Sequence, residues 1–496
     1  METSFEHLAA SCAAPLEAIV IGAGFGGIGL AIALKREGIH EFLILEKGRD
    51  VGGCWRDNVY PGAACDVPSH LYSFSFEPNW NWSRKYATQP EIFAYLKQVA
   101  RKYRLEGLLR LNTEVASASY DEAEHVWRVE LANGSVLHAR MVVTATGQLS
   151  RPAYPGLPGL ESFAGKSFHS ATWDREYSLK GKRVAVIGTG ASAIQFIPEV
   201  AVEVQHLKVF QRSPAYVIPR SDRAYRDWEK AMFHRFPFTM KMVRAAIYLR
   251  NESFAIGFTR FRHLTSLLGG IPFKRLLAVQ VPDPELRRKL TPDYPVGCKR
   301  ILISNDYLKA LARPNVELVT EGIERITPTG IITKDGRQHE VDAIIFGTGF
   351  AATEFLTPMK VYGMGGIELS TAWKNGAEAY LGISIPRFPN FFMLYGPNTN
   401  LGHNSIVYML ESQIRHVIAC RKKMRESGAR SMQVRQEACA GYNARIQARF
   451  RHTVWNGCTS WYIDASGRNT INWPGFTFRY RAMTRDPDMQ HYELTP

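Results

Sequence analysis

The chain has 496 residues, 45% of them hydrophobic and 22% charged, with a formal net charge of +15. That length excludes a single compact core and predicts two or three domains; no apolar run reaches the roughly 18 residues of a membrane span, and the stretch Met1 to Pro15 lacks the pattern of a secretory signal. The seven cysteines (Cys12, Cys54, Cys65, Cys298, Cys420, Cys439 and Cys458) are scattered without a CxxC pair, which argues for a reducing cytoplasm and against a metal site or a dithiol reductase.

The first predicted strand, Ala18 to Ile21, runs into Gly22-Ala23-Gly24-Phe25-Gly26-Gly27 and an apolar helix from Ile28 to Leu34. In such a turn the first glycine permits the bend, the second lets the backbone approach a pyrophosphate, and the third lets helix pack on strand. The next predicted strand, Phe42 to Leu45, ends in Glu46, 22 residues beyond Gly24. A carboxylate there accepts hydrogen bonds from an adenosine ribose and repels a 2′-phosphate, so this site is predicted to hold FAD or NAD.

Gly52-Gly53-Cys54-Trp55-Arg56-Asp57-Asn58-Val59-Tyr60-Pro61-Gly62-Ala63-Ala64-Cys65-Asp66 follows, a GGxWxxxxYPGxxxD pattern. A strand from Met141 to Thr144 then enters Ala145-Thr146-Gly147, and Pro152, Pro155 and Pro158 mark an outgoing linker. The segment from Phe163 to Asp174 matches FxGxxxHxxxW, with His169 and Trp173 at the defining positions.

A second glycine turn, Gly188-Thr189-Gly190-Ala191-Ser192-Ala193, lies about 165 residues after the first. Its following strand, Leu207 to Phe210, ends in Gln211, Arg212 and Ser213, with no acid. Arg212 would pair a 2′-phosphate through a charge-assisted fork, which reads as NADP(H). Two turns of opposite charge logic predict a two-nucleotide flavoprotein.

Between Arg220 and Arg300 stand 17 Lys/Arg against 7 Asp/Glu, two-thirds of the net charge, with aromatics interleaved. Three readings compete: a solvated helical insert, which is preferred, attraction of polyanionic NADPH, and contact with an anionic membrane. Nucleic acid is not expected, because no binding motif accompanies the charge. A strand from Asp342 to Phe346 enters Gly347-Thr348-Gly349-Phe350, similar to the earlier Ala145-Thr146-Gly147 turn. The predicted fold is α/β, with two Rossmann-like dinucleotide-binding domains, the NADP domain being inserted in the FAD domain. The expected boundaries are 1–150 and 336–496 for FAD, and 151–335 for NADP with a helical insert at about 220–300. The tail from Arg449 is expected to be loop and strand on the FAD domain.

The two fingerprints in this order resemble those of type I Baeyer–Villiger monooxygenases, single-chain class B flavoprotein monooxygenases. The resemblance continues through Trp82 to Pro90, Gly297 to Arg300, Gly396-Pro397-Asn398-Thr399, Trp461-Tyr462 and Gly467-Arg468-Asn469. It implies an enzyme in which NADPH reduces FAD, O2 adds to form a peroxyflavin, and a ketone or aldehyde becomes an ester or lactone, with sulfide oxidation as a side activity. It implies Arg300 as the residue that stabilises negative charge beside the flavin, oriented by Asp66, and His169 as a coupler of NADP binding to domain movement, with Trp173 in the same fingerprint. Lys47, Gly53, Trp55, Tyr72, Val115, Gly396 and Asn398 join Glu46 and the first turn as expected FAD-site residues. Lys299 joins Arg212 and the second turn at NADP. Asp66 ranks both as a catalytic and as a cofactor-site residue. An N- or S-oxygenating flavin monooxygenase is the alternative, although that group usually lacks the Trp of FxGxxxHxxxW and lacks the GGxWxxxxYPGxxxD run as a unit. The physiological ketone and the oligomeric state are not legible.

Overall fold

The computed structural model describes residues 14–259, 261 and 265–496; Cys12 and most of the Met1 to Pro15 stretch lie outside the described residues. Two parallel sheets of five strands organise them. The first runs Phe391–Met393, Val142–Thr144, Ala18–Ile21, Phe42–Leu45, Leu109–Arg110. Its strands are short and almost wholly apolar because they are covered on both faces, as parallel strands must be. One cover is the helix Phe25–Arg36, which packs so closely on the helix Ile406–Glu426 that a methyl group added at Gly29 would meet Ile414 at 2.9 Å. A mixed sheet of Lys360–Tyr362, Val115–Asp121, Val126–Leu131 and Val136–Ala139 is fastened to this unit through Trp127, whose indole donates to the Pro389 carbonyl at 2.8 Å.

The second sheet runs Lys166–His169, Ala343–Phe346, Arg183–Ile187, His206–Phe210, Val316–Val319, again all parallel. This corrects the expected re-entry near 335. The strand Ala343–Phe346 pairs with Arg183–Ile187 in the second sheet, and the chain rejoins the first sheet only with Phe391–Met393. The two strand-to-Gly-Thr-Gly-like turns look alike because each closes over its own nucleotide turn. Gly22 (φ +106°) and Gly188 (φ +105°) are left-handed, and a Cβ on either would strike the facing carbonyl, that of Ala145 at 2.6 Å or that of Gly347 at 2.5 Å. The outgoing and returning strands cross side by side, with Ala153 N–H donating to Gly349 and Ala351 N–H to Arg151. The crossover therefore lies near residue 350.

Between the paired strands Val217–Ile218 and Leu302–Ile303, the described residues of the basic segment form the helices Asp227–Arg235, Phe238–Thr259, Ile271–Gln280 and Pro284–Lys289, with a wider helical turn at Ser266–Gly270. The longest is fixed to the body of the protein by polar contacts on its inner face. Buried Glu252 accepts hydrogen bonds from Asn404 and from the amide and hydroxyl of Thr477, and Arg244 donates to the carbonyls of His70, Leu71 and Ser73. The tail is more regular than expected: it contains a helix, Thr477–Met483, and ends in the strand Tyr492–Thr495, antiparallel to Ser431–Val434. Trp473 and Tyr480 are fully buried in the core that also holds Ile28 and Phe74.

Cys298 and Cys458, 160 residues apart, form a disulfide. The cysteine spacing carried no sign of it, because the partners meet only when the tail packs on the segment before Lys299. No helix among the described residues is long and apolar enough to cross a membrane.

Candidate active site

The first glycine turn is shaped by what it lacks. A Cβ on Gly27 would stand 1.8 Å from the Gly22 carbonyl, so any side chain there destroys the turn, and a Cβ on Gly24 would face the Gly53 Cα at 3.8 Å. The Gly52 amide donates to the Ala23 carbonyl at 2.8 Å. The paired glycines of the first fingerprint thus lie on the nucleotide turn and keep its approach open. Glu46, at 5% exposure, accepts from the amides of Ala23 (2.9 Å) and Gly48 (2.7 Å) and pairs with Arg56 at 2.8 Å. Phe25, Tyr72 and Trp55 form an aromatic chain beside it, with centroids 5.2 and 5.5 Å apart, and the Trp55 indole donates to the Tyr72 hydroxyl at 3.1 Å. Lys47 is exposed beside Glu46, and Val115 is buried two residues past Thr113, whose amide donates to the Glu46 carbonyl. An open glycine cradle with a carboxylate at its rim fits the pyrophosphate and ribose of FAD.

Glu46→Ala removes three contacts to a charged acceptor, each worth about 1.5–3 kcal/mol in a typical protein. We expect the purified variant to retain FAD at least about tenfold more weakly, read from the ratio of 450 to 280 nm absorbance during dilution.

At the second turn, Gly190 leaves the same open approach, Ala191 and Ser192 lead into the helix Ala193–Glu203, and the Thr189 hydroxyl donates to the Ser213 carbonyl at 3.4 Å. Arg212 is exposed at the end of its strand. Lys299 reaches the same place from the far end of the insert: its ammonium donates to the Ser213 hydroxyl at 3.0 Å and lies 4.4 Å from the Tyr294 ring centre. Burial and then the charge of Arg212 hold the Lys299 ammonium below the ordinary lysine value. Two cations whose charges act on each other at the end of this strand, with Asp293 the acid that partly offsets them, fit the 2′-phosphate of NADP(H).

Arg300, the next residue, points elsewhere. Its guanidinium donates from Nε (3.1 Å) and Nη2 (2.5 Å) to one carboxylate oxygen of Asp66, and from Nη1 to the Leu401 carbonyl at 3.4 Å. Burial pushes the Asp66 carboxyl up, but the charge and hydrogen bonds of Arg300 prevail and hold it below the usual carboxylate range. The Asp66 charge holds the guanidinium protonated. Both side chains keep about a third of their surface exposed, 28% and 36%, so a ligand can reach them. The Tyr462 hydroxyl stands near the pair, and burial pushes its pKa up to about 12.

Several residues at this site carried no signal in the sequence. Arg220 sits behind Asp66, donating to the carbonyls of Cys65 and Tyr86 and adding a second positive charge. Gln195, on the second-turn helix, accepts from the Tyr60 hydroxyl at 3.1 Å and donates to the Ala64 carbonyl at 3.0 Å. That bridge links the Asp66 loop to the second nucleotide turn. A glutamine on an apolar helix is too common a residue to have stood out.

His169 and Trp173 make none of the hydrogen bonds of the Arg300–Asp66 pair. His169 is fully buried at the end of its strand, where Nδ1 accepts from the Ala171 amide at 3.1 Å, and burial lowers its pKa. Its ring packs between Tyr154 and Phe350, one from each crossing strand of the linker. Trp173 packs on Phe196, which in turn meets Tyr60. Gly396 and Asn398 follow Leu394, which packs on Gly26 of the first turn; Gln148 donates to the Gly396 carbonyl, and buried Asn398 donates to the carbonyls of Asn469 and Asn472 in the tail.

Two parallel nucleotide folds, glycine turns of opposite charge and a reachable guanidinium–carboxylate pair define a two-nucleotide oxidoreductase. A family model described as pyridine nucleotide-disulphide oxidoreductase matches residues 19–226. A Baeyer-Villiger monooxygenase of Pseudomonas aeruginosa is 49% identical over 479 residues, covering 96% of this chain and 91% of that one. Among solved structures, OTEMO in complex with FAD and NADP has a TM-score of 0.88 at 29% identity, covering 97% of this chain and 100% of the other. The closed crystal structure of cyclohexanone monooxygenase has a TM-score of 0.85 at 30% identity, covering 97% and 99%. The chain belongs to the Baeyer–Villiger monooxygenases.

Proposed function

We propose that the protein uses NADPH and O2 to convert a ketone to an ester or lactone, with Arg300 and Asp66 as the groups that serve the chemistry. The observation that carries this reading is the Arg300–Asp66 pair: a permanently cationic multiple donor, oriented by a carboxylate and still reachable. When bound, reduced FAD supplies the oxygen-activating chemistry. Arg300 places fixed positive charge where anionic oxygen must be held, at no cost of reorganisation during reaction. Asp66 aims the guanidinium, and the Leu401 carbonyl takes a third donor so that the fork does not rotate freely. The Gln195 bridge and the shared Lys299-Arg300 segment tie this pair to the nicotinamide nucleotide side, so NADP(H) binding and the position of Arg300 are mechanically linked.

The test is a ketone panel with FAD-loaded protein. NADPH oxidation should accelerate on addition of an accepted ketone, and the ester should carry one ¹⁸O from ¹⁸O2. NADPH consumption across a broad panel of linear, aryl and cyclic ketones with no labelled ester would overturn the reading.

A further inference from the structure

The helix Phe238–Thr259 has an outer face that its sequence does not explain as a solvated surface. At 100° per residue, Phe238, Met242, Ala245, Leu249, Ser253 and Ile256 fall within one narrow stripe, and all are exposed, Phe238, Met242 and Leu249 at 59%, 64% and 66%. The stripe is about 27 Å long, from 18 residues at 1.5 Å each. Exposed Lys241 and Arg250 flank it on either side, and exposed Lys274 and Arg275 follow on the next helix. Among the described residues, none of these four cations is in an ion pair. Isolated apolar residues on a surface need no explanation, but an apolar stripe rimmed by unneutralised charge of one sign does.

We infer that this face docks the enzyme on an anionic lipid surface. A second copy of the chain is disfavoured by charge, because a two-fold contact through the stripe sets the excess cations of the 220–300 segment against themselves. Anionic headgroups neutralise those same cations while the stripe enters the acyl boundary. The helix lies in the plane of that surface and does not cross it. Its inner face is held to the protein by Glu252, Arg244 and the Tyr248–Thr477 hydrogen bond, and it is not apolar enough to span. Lipid docking through this outer face is independent of the proposed chemistry.

The experiment is flotation of the FAD-loaded full chain with phosphatidylcholine vesicles and with vesicles containing one-quarter phosphatidylglycerol, at 0.1 M and 0.5 M NaCl. Protein should float with the anionic vesicles at low salt and at least about tenfold less in either comparison. Met242→Glu with Leu249→Glu should abolish flotation while FAD content and NADPH oxidation stay unchanged, since both side chains point away from the nucleotide turns. Equal flotation by the variant, or none by the parent chain, would overturn the inference. So would a lipid-free dimer that the same two substitutions dissociate, which would give the face to a second copy.

Discussion

Replacing Arg300 by alanine is expected to abolish ester formation, by at least about 10³-fold in turnover, while NADPH still bleaches the flavin. The separation of the two half-reactions is the point of the prediction. Reduction of the flavin needs the nucleotides correctly seated, and that depends on the glycine turns, Glu46, Arg212 and Lys299. Ester formation needs positive charge held at one position, and of the two cations acting on Asp66 it is Arg300 that donates to its carboxylate, twice, with a third donor on the Leu401 carbonyl. Alanine also leaves Asp66 facing Arg220 alone, so burial would raise its carboxyl pKa and the loop would lose stability. Arg300→Lys separates these effects. It keeps the charge and the fold, but an ammonium cannot hold Asp66 and Leu401 through the same planar fork, and a loss of about 10²-fold in ester yield with normal FAD content is expected. An Arg300→Ala enzyme that makes ester at the parental rate would remove this residue from the chemistry.

The same pair fixes a sign for pH. The Asp66 carboxyl titrates below its ordinary value of 3.8, so its contribution to stability is present above that value and is lost as pH falls through the depressed one. Arg300 titrates above the accessible range. The pair therefore contributes no pH dependence to turnover near neutrality, and an acidic limb there would have to come from another group.

Much of this was legible because phosphate chemistry writes itself into short, local patterns. Gly22, Gly24 and Gly27 could be read in order because each answers a contact within a few residues or with the next strand. Glu46 and Arg212 could be read because each sits at a fixed distance from its turn. The strand Ala343–Phe346 was assigned to the wrong sheet for the same reason: its turn obeys a local rule that both sheets obey equally, and only pairing distinguishes them. Arg220, Gln195 and the Cys298–Cys458 link were not legible at all. Each acts across more than 130 residues of chain, through contacts that exist only after the insert and tail have packed, and none belongs to a residue type or spacing that demands them.

The cation pair at the second turn yields the other large effect. Arg212→Ala is expected to raise the KM for NADPH by about 10- to 100-fold, the value of one charge-assisted contact to phosphate, with kcat little changed and the KM for NADH unaffected. Lys299→Ala should act on the same quantity, and the double variant should approach equal use of both coenzymes, because Arg212 and Lys299 are the cations placed at Ser213 to distinguish a 2′-phosphate from a hydroxyl. The two residues should not be additive. Arg212 lowers the proton affinity of Lys299 in the empty site, and removing Arg212 relieves the lysine. Lys299 has a second signature. Its ammonium is held below the ordinary lysine value by burial and by Arg212, so on the alkaline side the KM for NADPH should begin to rise at a lower pH than an exposed lysine would give, and that rise should vanish in Lys299→Ala. Since Lys299 and Arg300 share one peptide bond yet face different ligands, the Lys299→Ala enzyme also tests their mechanical link. If phosphate binding positions Arg300, the variant saturated with NADPH should release more hydrogen peroxide per ester formed than the parent; an unchanged ratio would show that the two ends of the segment act independently.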